Sequence, residues 1–208
     1  PIFRLIPKDI AAEVFAELDL TVATELLQYL TEKEAVTILN ELAADDATDI
    51  IEEMPANVVS RILKATDPAR RKQINELLHY PEDSAGSIMT TEFVYFRLDD
   101  TVKSAFERIR SVGVVKETVY TCYVVEKHKL LGIVTAKELL TQDDSITISD
   151  VMETNIITVN THADKEEVAN LLNKYDFLAL PVVDVENCMV GIVTIDDAMD
   201  VILEEAEE

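Results

Sequence analysis

Gly132-Ile133-Val134-Thr135 recurs unchanged 59 residues later as Gly191-Ile192-Val193-Thr194. Each of these segments has a second marker ahead of it. Ile88-Met89-Thr90 precedes the first, and a similar segment, Val151-Met152-Glu153, precedes the second. Between the markers lie a short apolar run, an amphipathic helical pattern and two runs rich in β-branched residues, which are typical of strands. This pattern therefore predicts two β-α-β-β-α units that pack as a pseudo-symmetric pair and cover each other's apolar sheet faces.

The same patterns give approximate limits for these elements. In the first copy, strands are predicted over 93–96, 120–125 and 131–135, and helices over 101–111 and 136–141. In the second copy, strands are predicted over 156–159, 179–183 and 190–194, and helices over 165–175 and 196–205.

Ahead of the duplicated units, residues 7–78 divide into six consecutive units of twelve residues. Apolar residues recur at positions five, eight, nine and twelve, a spacing that puts them on one face of a helix about two turns long. Such short helices are marginal alone, so we predict that residues 1–80 form an all-α superhelical domain of stacked units. Capping or helix-breaking residues are expected at the unit starts: Asp19, Thr31, Asp45, Pro55 and Asp67-Pro68.

The charge of the chain is strongly negative and unevenly distributed. There are 41 acidic and 18 basic residues, and residues 143–208 hold 17 of the acidic and 2 of the basic ones. This charge argues against nucleic acid and anionic membrane surfaces as partners, and favours cations or basic protein surfaces. An apolar content of 48% is enough for packed cores, and no apolar run is long enough to span a bilayer.

The duplicated units resemble cystathionine-β-synthase (CBS) domains in tandem, because each Gly-Ile-Val-Thr strand is followed by Ala136-Lys137-Glu138 or Ile195-Asp196-Asp197. The segments 82–90, 175–177, 180–184 and 191–201 are more specific. Together with the superhelix before them, they resemble the cytosolic part of the MgtE family of magnesium channels and transporters, from about Asp9 to Glu205.

That resemblance implies a homodimer formed through the CBS domains, and a Mg²⁺-sensing role at the cytoplasmic face of the cell membrane. It implies five parts: an N domain (1–80), a linker (81–87), a first CBS domain (88–145), a second (146–200) and the start of a connecting "plug" helix (201–208). Because the chain starts without Met and stops in an acidic, helix-like run, we expect it to be part of a longer protein. The transmembrane pore domain of the family would then lie outside this sequence.

The resemblance also implies a set of magnesium ligands. Mg²⁺ prefers oxygen ligands and keeps several waters, so one or two carboxylates from each surface are enough. The matching residues are Asp45 and Asp49 on the superhelix and Asp197 and Asp200 on the last helix, with Asp176 expected to face Asp200. Weaker matches are Glu13, Asp164 and Glu166, with a backbone carbonyl of Ser87 near Asp197. The alternative for each residue alone is a helix-start charge, worth about 0.3–1 kcal/mol.

Under this interpretation the switch is electrostatic. Without Mg²⁺ the facing acidic surfaces repel each other, and with Mg²⁺ bound ions bridge them and favour a compact state, which would close the pore.

Nucleotide binding is a further possibility, because CBS pairs often bind adenosine ligands. The matching pattern Gly-x-x-Thr-x-x-Asp is present as Gly191, Thr194 and Asp197, where Thr would meet phosphate and Asp ribose; the first copy has Glu138 in place of Asp. ATP is therefore a second candidate ligand.

Two other functions stay open: a stand-alone CBS regulatory protein that binds adenosine nucleotides, and a structural adaptor that holds a basic partner. An enzyme is not expected, because the chain has no phosphate-binding loop motif and its three histidines lack metal-ligand spacing.

Overall fold

The twelve-residue repeat folds as six short helices. The computed structural model describes residues 6–113 and 116–207, with side chains as far as Leu203. The chain divides into two units, Pro1–Tyr80 and Pro81–Glu208, and each is described by itself. The helices of the first unit, called the helical unit below, are α1 (Lys8–Ala16), α2 (Leu20–Gln28), α3 (Glu32–Glu41), α4 (Ala44–Glu52), α5 (Ala56–Ala65) and α6 (Pro68–Leu77).

Capping residues begin three of these helices as predicted. Asp19 accepts hydrogen bonds from two backbone N–H groups of α2, Asp67 does the same for α6, and Thr31 forms a capping box with Glu34. The prediction for Asp45 was wrong. The helix α4 begins at Ala44, and Asp45 lies buried inside its first turn with 9% exposure.

Each helix of this unit packs against the next helix but one. Contacts join α1 to α3 and α3 to α5 on one side, and α2 to α4 and α4 to α6 on the other. The fifth position of the repeat supplies small residues for these approaches, because Ala23, Ala35 and Ala47 are almost fully buried. One continuous apolar core therefore runs through the stack, which confirms the superhelical prediction.

The second unit contains two small mixed sheets of the same topology. The first copy comprises β1 (Phe93–Phe96), α7 (Val102–Val112), β2 (Thr118–Glu126), β3 (Lys129–Thr135), α8 (Ala136–Thr141) and α9 (Ile148–Val151). The second comprises β4 (Val159–Asn160), α10 (Lys165–Tyr175), β5 (Ala179–Val183), β6 (Met189–Thr194) and α11 (Ile195–Glu207). In each sheet the first strand runs parallel to the central one, and the third strand antiparallel to it.

The two sheets share apolar contacts, as the sequence predicts. Tyr123 of β2 packs in one cluster with Ala179 of β5 and with Met189 and Ile192 of β6. The strand predicted over 156–159 was wrong, because only Val159 and Asn160 pair with β5.

The two copies are also interlaced through the backbone. Thr90, which precedes the first copy, pairs with Ile192 of the second, while Glu153, which precedes the second copy, pairs with Ile133 of the first. The repeated glycines allow this close approach, since a Cβ on Gly191 would lie 2.7 Å from the carbonyl oxygen of Thr90. The markers 88–90 and 151–153 are therefore the segments through which each copy pairs with the last strand of the other.

Among the helices that the structure describes, none combines the length and the apolar character needed to cross a bilayer.

Candidate metal and nucleotide sites

Thr194 and Asp197 form a hydrogen-bonded pair where the second sheet ends. Thr194 is the last residue of β6, and Asp197 lies in the first turn of α11. The Thr194 hydroxyl donates to Asp197 Oδ2 at 2.5 Å, and Thr194 is 3% exposed. The structure therefore brings together the two residues that the nucleotide pattern selected.

The pKa of Asp197 is raised to about 7, from 3.8 for an ordinary Asp. Burial is the main cause, and the negative charges of Asp196 and Glu117 raise the pKa further, while the hydrogen bonds from Thr194 lower it. A carboxylate in such a negative and partly desolvated position gains from a cation or from a hydroxyl donor. The site is therefore chemically suited to Mg²⁺ or to a ribose hydroxyl.

The equivalent pair in the first copy, Thr135 and Glu138, makes hydrogen bonds of the same kind. Glu138 turns back onto its own helix, where Oε2 accepts from the backbone N–H of Thr135 at 2.8 Å and from the Thr135 hydroxyl at 3.0 Å. These bonds make a complete capping box at the start of α8. In both copies, then, the carboxylate three residues after the threonine is hydrogen-bonded to the hydroxyl and to the backbone of that threonine, and the first copy has Glu where the second has Asp.

Asp176 and Asp200 lie on elements that pack against each other. Asp176 ends α10 in the left-handed backbone conformation, with φ 53°, and Asp200 lies on the exposed side of α11. Asp tolerates this conformation better than most residues, which gives Asp176 a structural role as a helix terminus. The structure brings α10 and α11 together, and a shared ion between the two carboxylates stays a prediction.

Two other predicted ligands of this unit, Asp164 and Ser87, have local hydrogen-bond partners. Asp164 is the N-cap of α10 and accepts from the backbone N–H of Glu166 at 2.9 Å, while the side chain of Glu166 is exposed. The Ser87 hydroxyl donates to the carbonyl oxygens of Glu82 and Ser84, at 2.6 and 2.8 Å. These bonds make Asp164 a cap residue and Ser87 a turn residue, while a Ser87 carbonyl near Asp197 stays a prediction.

In the helical unit, α4 carries Asp45 and Asp49 one turn apart. Asp45 is buried and Asp49 is exposed, so the two carboxylates sit on the same edge of the helix at different depths. Glu13 is exposed on α1. Among the side chains that the structure describes, no three His, Cys, Asp or Glu side chains are grouped closely enough to hold a metal ion. The metal site therefore stays a prediction.

Glu117 is the residue at this site that the sequence did not single out. It precedes β2, its backbone N–H donates to the carbonyl of Glu92 at 2.9 Å, and its charge reaches Asp197 of the other copy. The repeated marker segments were the sequence signal that could have identified Glu117. Thr90, in the first marker, pairs with Ile192 and so brings the start of the first copy close to the end of β6.

Comparison with known families agrees with this architecture. A family model described as the MgtE intracellular N domain matches residues 1–83, and the CBS domain model matches residues 85–144 and 148–204. Magnesium transporter MgtE of Enterococcus faecalis is 42% identical over 135 residues, which are 64% of this chain and 30% of that protein. Magnesium transporter MgtE of Thermus thermophilus is 40% identical over 149 residues, or 71% and 33%. The chain thus spans about a third of the length of these relatives.

Two solved structures are similar along nearly the whole chain. One is the cytosolic domain of the Mg²⁺ channel MgtE in complex with ATP, at 38% identity and a TM-score of 0.89, covering 95% of this chain and 81% of that one. The other is the soluble part of a magnesium transporter, at 32% identity and a TM-score of 0.94, covering 99% and 81%.

Proposed function

The chain belongs to the MgtE family, with the N domain and CBS pair of its magnesium transporters, and on that premise we propose that it is a Mg²⁺-sensing regulatory region. The observation that supports this proposal most is the similarity to the cytosolic domain of a Mg²⁺ channel over 95% of the chain. Because the N-domain model also matches residues 1–83, a transporter is better supported than a stand-alone CBS protein or an adaptor. The region acts by binding and carries no catalytic role.

In this proposal, Mg²⁺ binds the carboxylates of both units and favours a compact state that closes the pore. The ligands proposed are Asp45 and Asp49 on α4, and Asp197 and Asp200 on α11, with Asp176 beside the last of these. Glu13, Asp164, Glu166 and the Ser87 carbonyl are secondary candidates. The raised pKa of Asp197 supports a cation at that position, since the causes of the shift include the negative charges of Asp196 and Glu117. Mg²⁺ that keeps its waters needs only a few protein oxygens from each surface.

Small-angle scattering tests this proposal. Adding Mg²⁺ in the millimolar range should lower the radius of gyration, while NaCl of equal ionic strength should not. The variant with Asp45, Asp49, Asp197 and Asp200 changed to Asn should lose the response. A matched control changes four exposed acidic residues outside the proposed site to their amides: Asp99, Glu107, Asp143 and Asp144. These assignments would be ruled out if Mg²⁺ left the radius of gyration of the unaltered chain unchanged, or if the four-Asp variant and the control variant responded equally.

A second ligand, an adenosine nucleotide, is proposed at Thr194 and Asp197. The hydrogen-bonded pair at the end of β6 supports it. The phosphates of ATP would meet the negative charges of Asp196 and Glu117, so we expect Mg²⁺ to strengthen binding. Calorimetric titration with ATP, with and without Mg²⁺, provides the measurement. Binding should fall in Asp197→Asn and persist in Glu138→Gln, and an absence of heat under both conditions would remove the nucleotide proposal.

The proposed oligomer is a homodimer formed through the CBS pair. Apolar side chains exposed on its helices supply the surface, with Leu140 of α8 at 72%, Met199 of α11 at 45% and Leu203 of α11 at 57% exposure. Light scattering after gel filtration should give the mass of two chains. The variant Met199→Glu should shift it towards one chain, whereas Val185→Glu, in the turn before β6, should not. A single-chain mass for the unaltered protein would contradict the dimer.

In the cell, the proposal places this region at the cytoplasmic face of the membrane, joined to the pore domain of the same protein. The sequence of the gene beyond residue 208 tests that point, since several apolar stretches of transmembrane length are expected there.

A further inference from the structure

Residues 83–90, called the strap below, are built into the second CBS copy although the first copy follows them in sequence. The backbone N–H of Ala85 donates to the carbonyl of Ala163 at 2.7 Å, and that of Gly86 to the carbonyl of Thr161 at 2.9 Å. Both acceptors lie just before α10, and Ala85 is 0% exposed. This end of the strap is therefore fixed to the start of the second copy.

A second attachment lies at the other end of the strap. Thr90 and Ile192 exchange two backbone hydrogen bonds, at 2.8 and 2.9 Å, and Thr90 is 0% exposed. The side chain of Met89 fills the space above Gly191 and is 2% exposed. The strap thus adds to β6, the strand that leads directly into Thr194 and Asp197.

An ion pair and a tight turn hold the beginning of the strap. The ammonium group of Lys165, on a side chain that is 20% exposed, lies 3.4 Å from Asp83 Oδ1, and the backbone N–H of Lys165 donates to the Asp83 carbonyl at 3.2 Å. The hydroxyl of Ser84 closes the preceding turn on the carbonyl of Pro81 at 2.7 Å. Fixed backbone therefore begins within three residues of Tyr80, the last residue of the helical unit.

The last strand of the first copy, β3, gains the same kind of backbone pairing, but from another part of the chain. Ile133 of β3 exchanges backbone hydrogen bonds with Glu153, and Met152 lies above Gly132. The first copy therefore takes this paired segment from the connection between the two copies, and none of its described residues makes an equivalent backbone pairing with the strap.

We propose that the strap couples the chain leaving the helical unit to the second CBS copy, and that its hydrogen bonds to that copy hold it in place although it runs on into β1 of the first copy. A change that loosens β6 or the start of α10 then releases residues 83–90, while a change that loosens β3 leaves them in place. This coupling does not depend on Mg²⁺ or nucleotide, so it can fail or hold independently of the function proposed above.

Two glycine variants of the full chain test the proposal, in buffer without divalent cations. In Gly191→Ala, the new Cβ would lie 2.7 Å from the Thr90 carbonyl and 2.8 Å from Met89 Sδ, which should lift the strap. Gly132→Ala is the matched control, because its Cβ would lie 2.7 Å from Met152 Sδ and 3.1 Å from the Glu153 carbonyl. Amide exchange at Ala85, Gly86 and Thr90 should rise about tenfold in Gly191→Ala and stay unchanged in Gly132→Ala.

Cleavage by a glutamate-specific protease provides a second measurement on the same two variants. Glu82 and Glu153 are both exposed and stand beside the two crossing segments. We expect faster cleavage after Glu82 only in Gly191→Ala and faster cleavage after Glu153 only in Gly132→Ala. Exchange or cleavage at the strap that rises in both variants, in neither, or only in Gly132→Ala would overturn the proposal.

A milder variant covers the case in which Gly191→Ala does not fold. Lys165→Met removes the ion pair to Asp83, and exchange at Ala85 and Gly86 should then rise about threefold. The control is Lys137→Met, at an exposed position of α8 in the first copy, where no change at the strap is expected. Equal exchange at the strap in Lys165→Met and in the unaltered chain would also overturn the proposal.

Discussion

At the scale of single residues, the buried polar groups of the CBS pair carry the most information. The hydroxyl of Tyr123 is buried and has no hydrogen-bond partner among the described residues, and its ring meets the ring of Phe93 edge-on at 5.7 Å. Burial raises the pKa of this hydroxyl, so it stays protonated at neutral pH. The ring of Tyr123 packs between the two sheets, while its hydroxyl makes no hydrogen bond to the described residues.

We therefore expect Tyr123→Phe to stabilise the protein. Removing an unsatisfied buried hydroxyl recovers its desolvation cost, and we expect the free energy of unfolding to rise by about 1 kcal/mol. Chemical denaturation followed by circular dichroism measures this change. Tyr95→Phe is the control, because Tyr95 is 41% exposed, and should change stability by less than about 0.5 kcal/mol. A loss of stability in Tyr123→Phe would show that the hydroxyl has a partner in solution.

Asp197 gives a pH dependence with a definite sign. Folding raises its pKa from 3.8 to about 7, so between these values the folded state binds more protons than the unfolded state. The contribution of this group to stability is therefore present at low pH and is lost as the pH rises towards 7 and above. In EDTA, Asp197→Asn should be more stable than the unaltered chain by about 1–3 kcal/mol at pH 8, with the difference shrinking towards pH 4.5.

Thermal unfolding at a series of pH values provides this measurement. Asp99→Asn is the matched control, since Asp99 is exposed, and its curve should stay parallel to that of the unaltered chain. An Asp197→Asn curve that is also parallel would mean that the Asp197 carboxyl titrates normally.

At the scale of elements, the turn between β2 and β3 is built from unfavourable residues. Lys127 and His128 are its two residues, and both have positive φ, at 49° and 67°. Two-residue hairpin turns of this kind favour Asn-Gly, because other side chains are strained in the left-handed region. The His128 carbonyl accepts from the backbone N–H of Met189 at 2.8 Å, so the turn is also a contact between the two sheets.

The double variant Lys127→Asn/His128→Gly should raise the free energy of unfolding by about 1 kcal/mol, because it relieves this strain and keeps the backbone bond to Met189. Urea denaturation measures the effect. Placing Asn-Gly at Asp143-Asp144 is the control, since neither residue there has positive φ, and we expect a loss of about 0.5 kcal/mol. Destabilisation by the first variant would mean that the turn differs in solution.

Elements with local start and stop signals were predicted at both ends. The helix α10 coincides with the predicted 165–175, because Asp164 caps its beginning and Asp176 ends it in the left-handed region. The strand predicted over 156–159 failed, because β4 is defined by its pairing with Val182 and Val183, which local apolar character does not reveal. Likewise, the Thr194–Asp197 pair follows from a motif, while Glu117 reaches Asp197 only through the crossing of the two copies.

At the scale of the whole molecule, the net charge of −23 is distributed unevenly along the chain. Residues 143–208 hold 17 acidic and 2 basic residues, whereas residues 81–142 hold 9 and 8. Basic groups near the end of the helical unit are engaged internally, since Arg70 donates to the Leu39 carbonyl and Arg61 pairs with Glu32 at 2.9 Å. The second CBS copy is thus the most acidic part of the chain, and it is also the copy that holds the strap.

The interlaced backbone predicts where the chain can be cut without damage to the CBS pair. A fragment of residues 81–208 keeps the strap and should unfold in one cooperative transition. A fragment of residues 92–208 still contains every strand and helix of both copies but lacks the buried residues Ala85, Met89 and Thr90. It leaves Gly191 uncovered and β6 without its two bonds to Thr90, so we expect it to be less stable by about 2–5 kcal/mol.

Calorimetry and urea denaturation of both fragments measure the difference. Because the strap belongs to the second sheet, the loss in the shorter fragment should appear first as faster amide exchange in β6, with β3 less affected. Equal stability of the two fragments would mean that residues 81–91 are a passive connection. Exchange that rises equally in both sheets would instead mean that the loss of the strap loosens the two copies alike, a result that the glycine variants of the full chain would repeat.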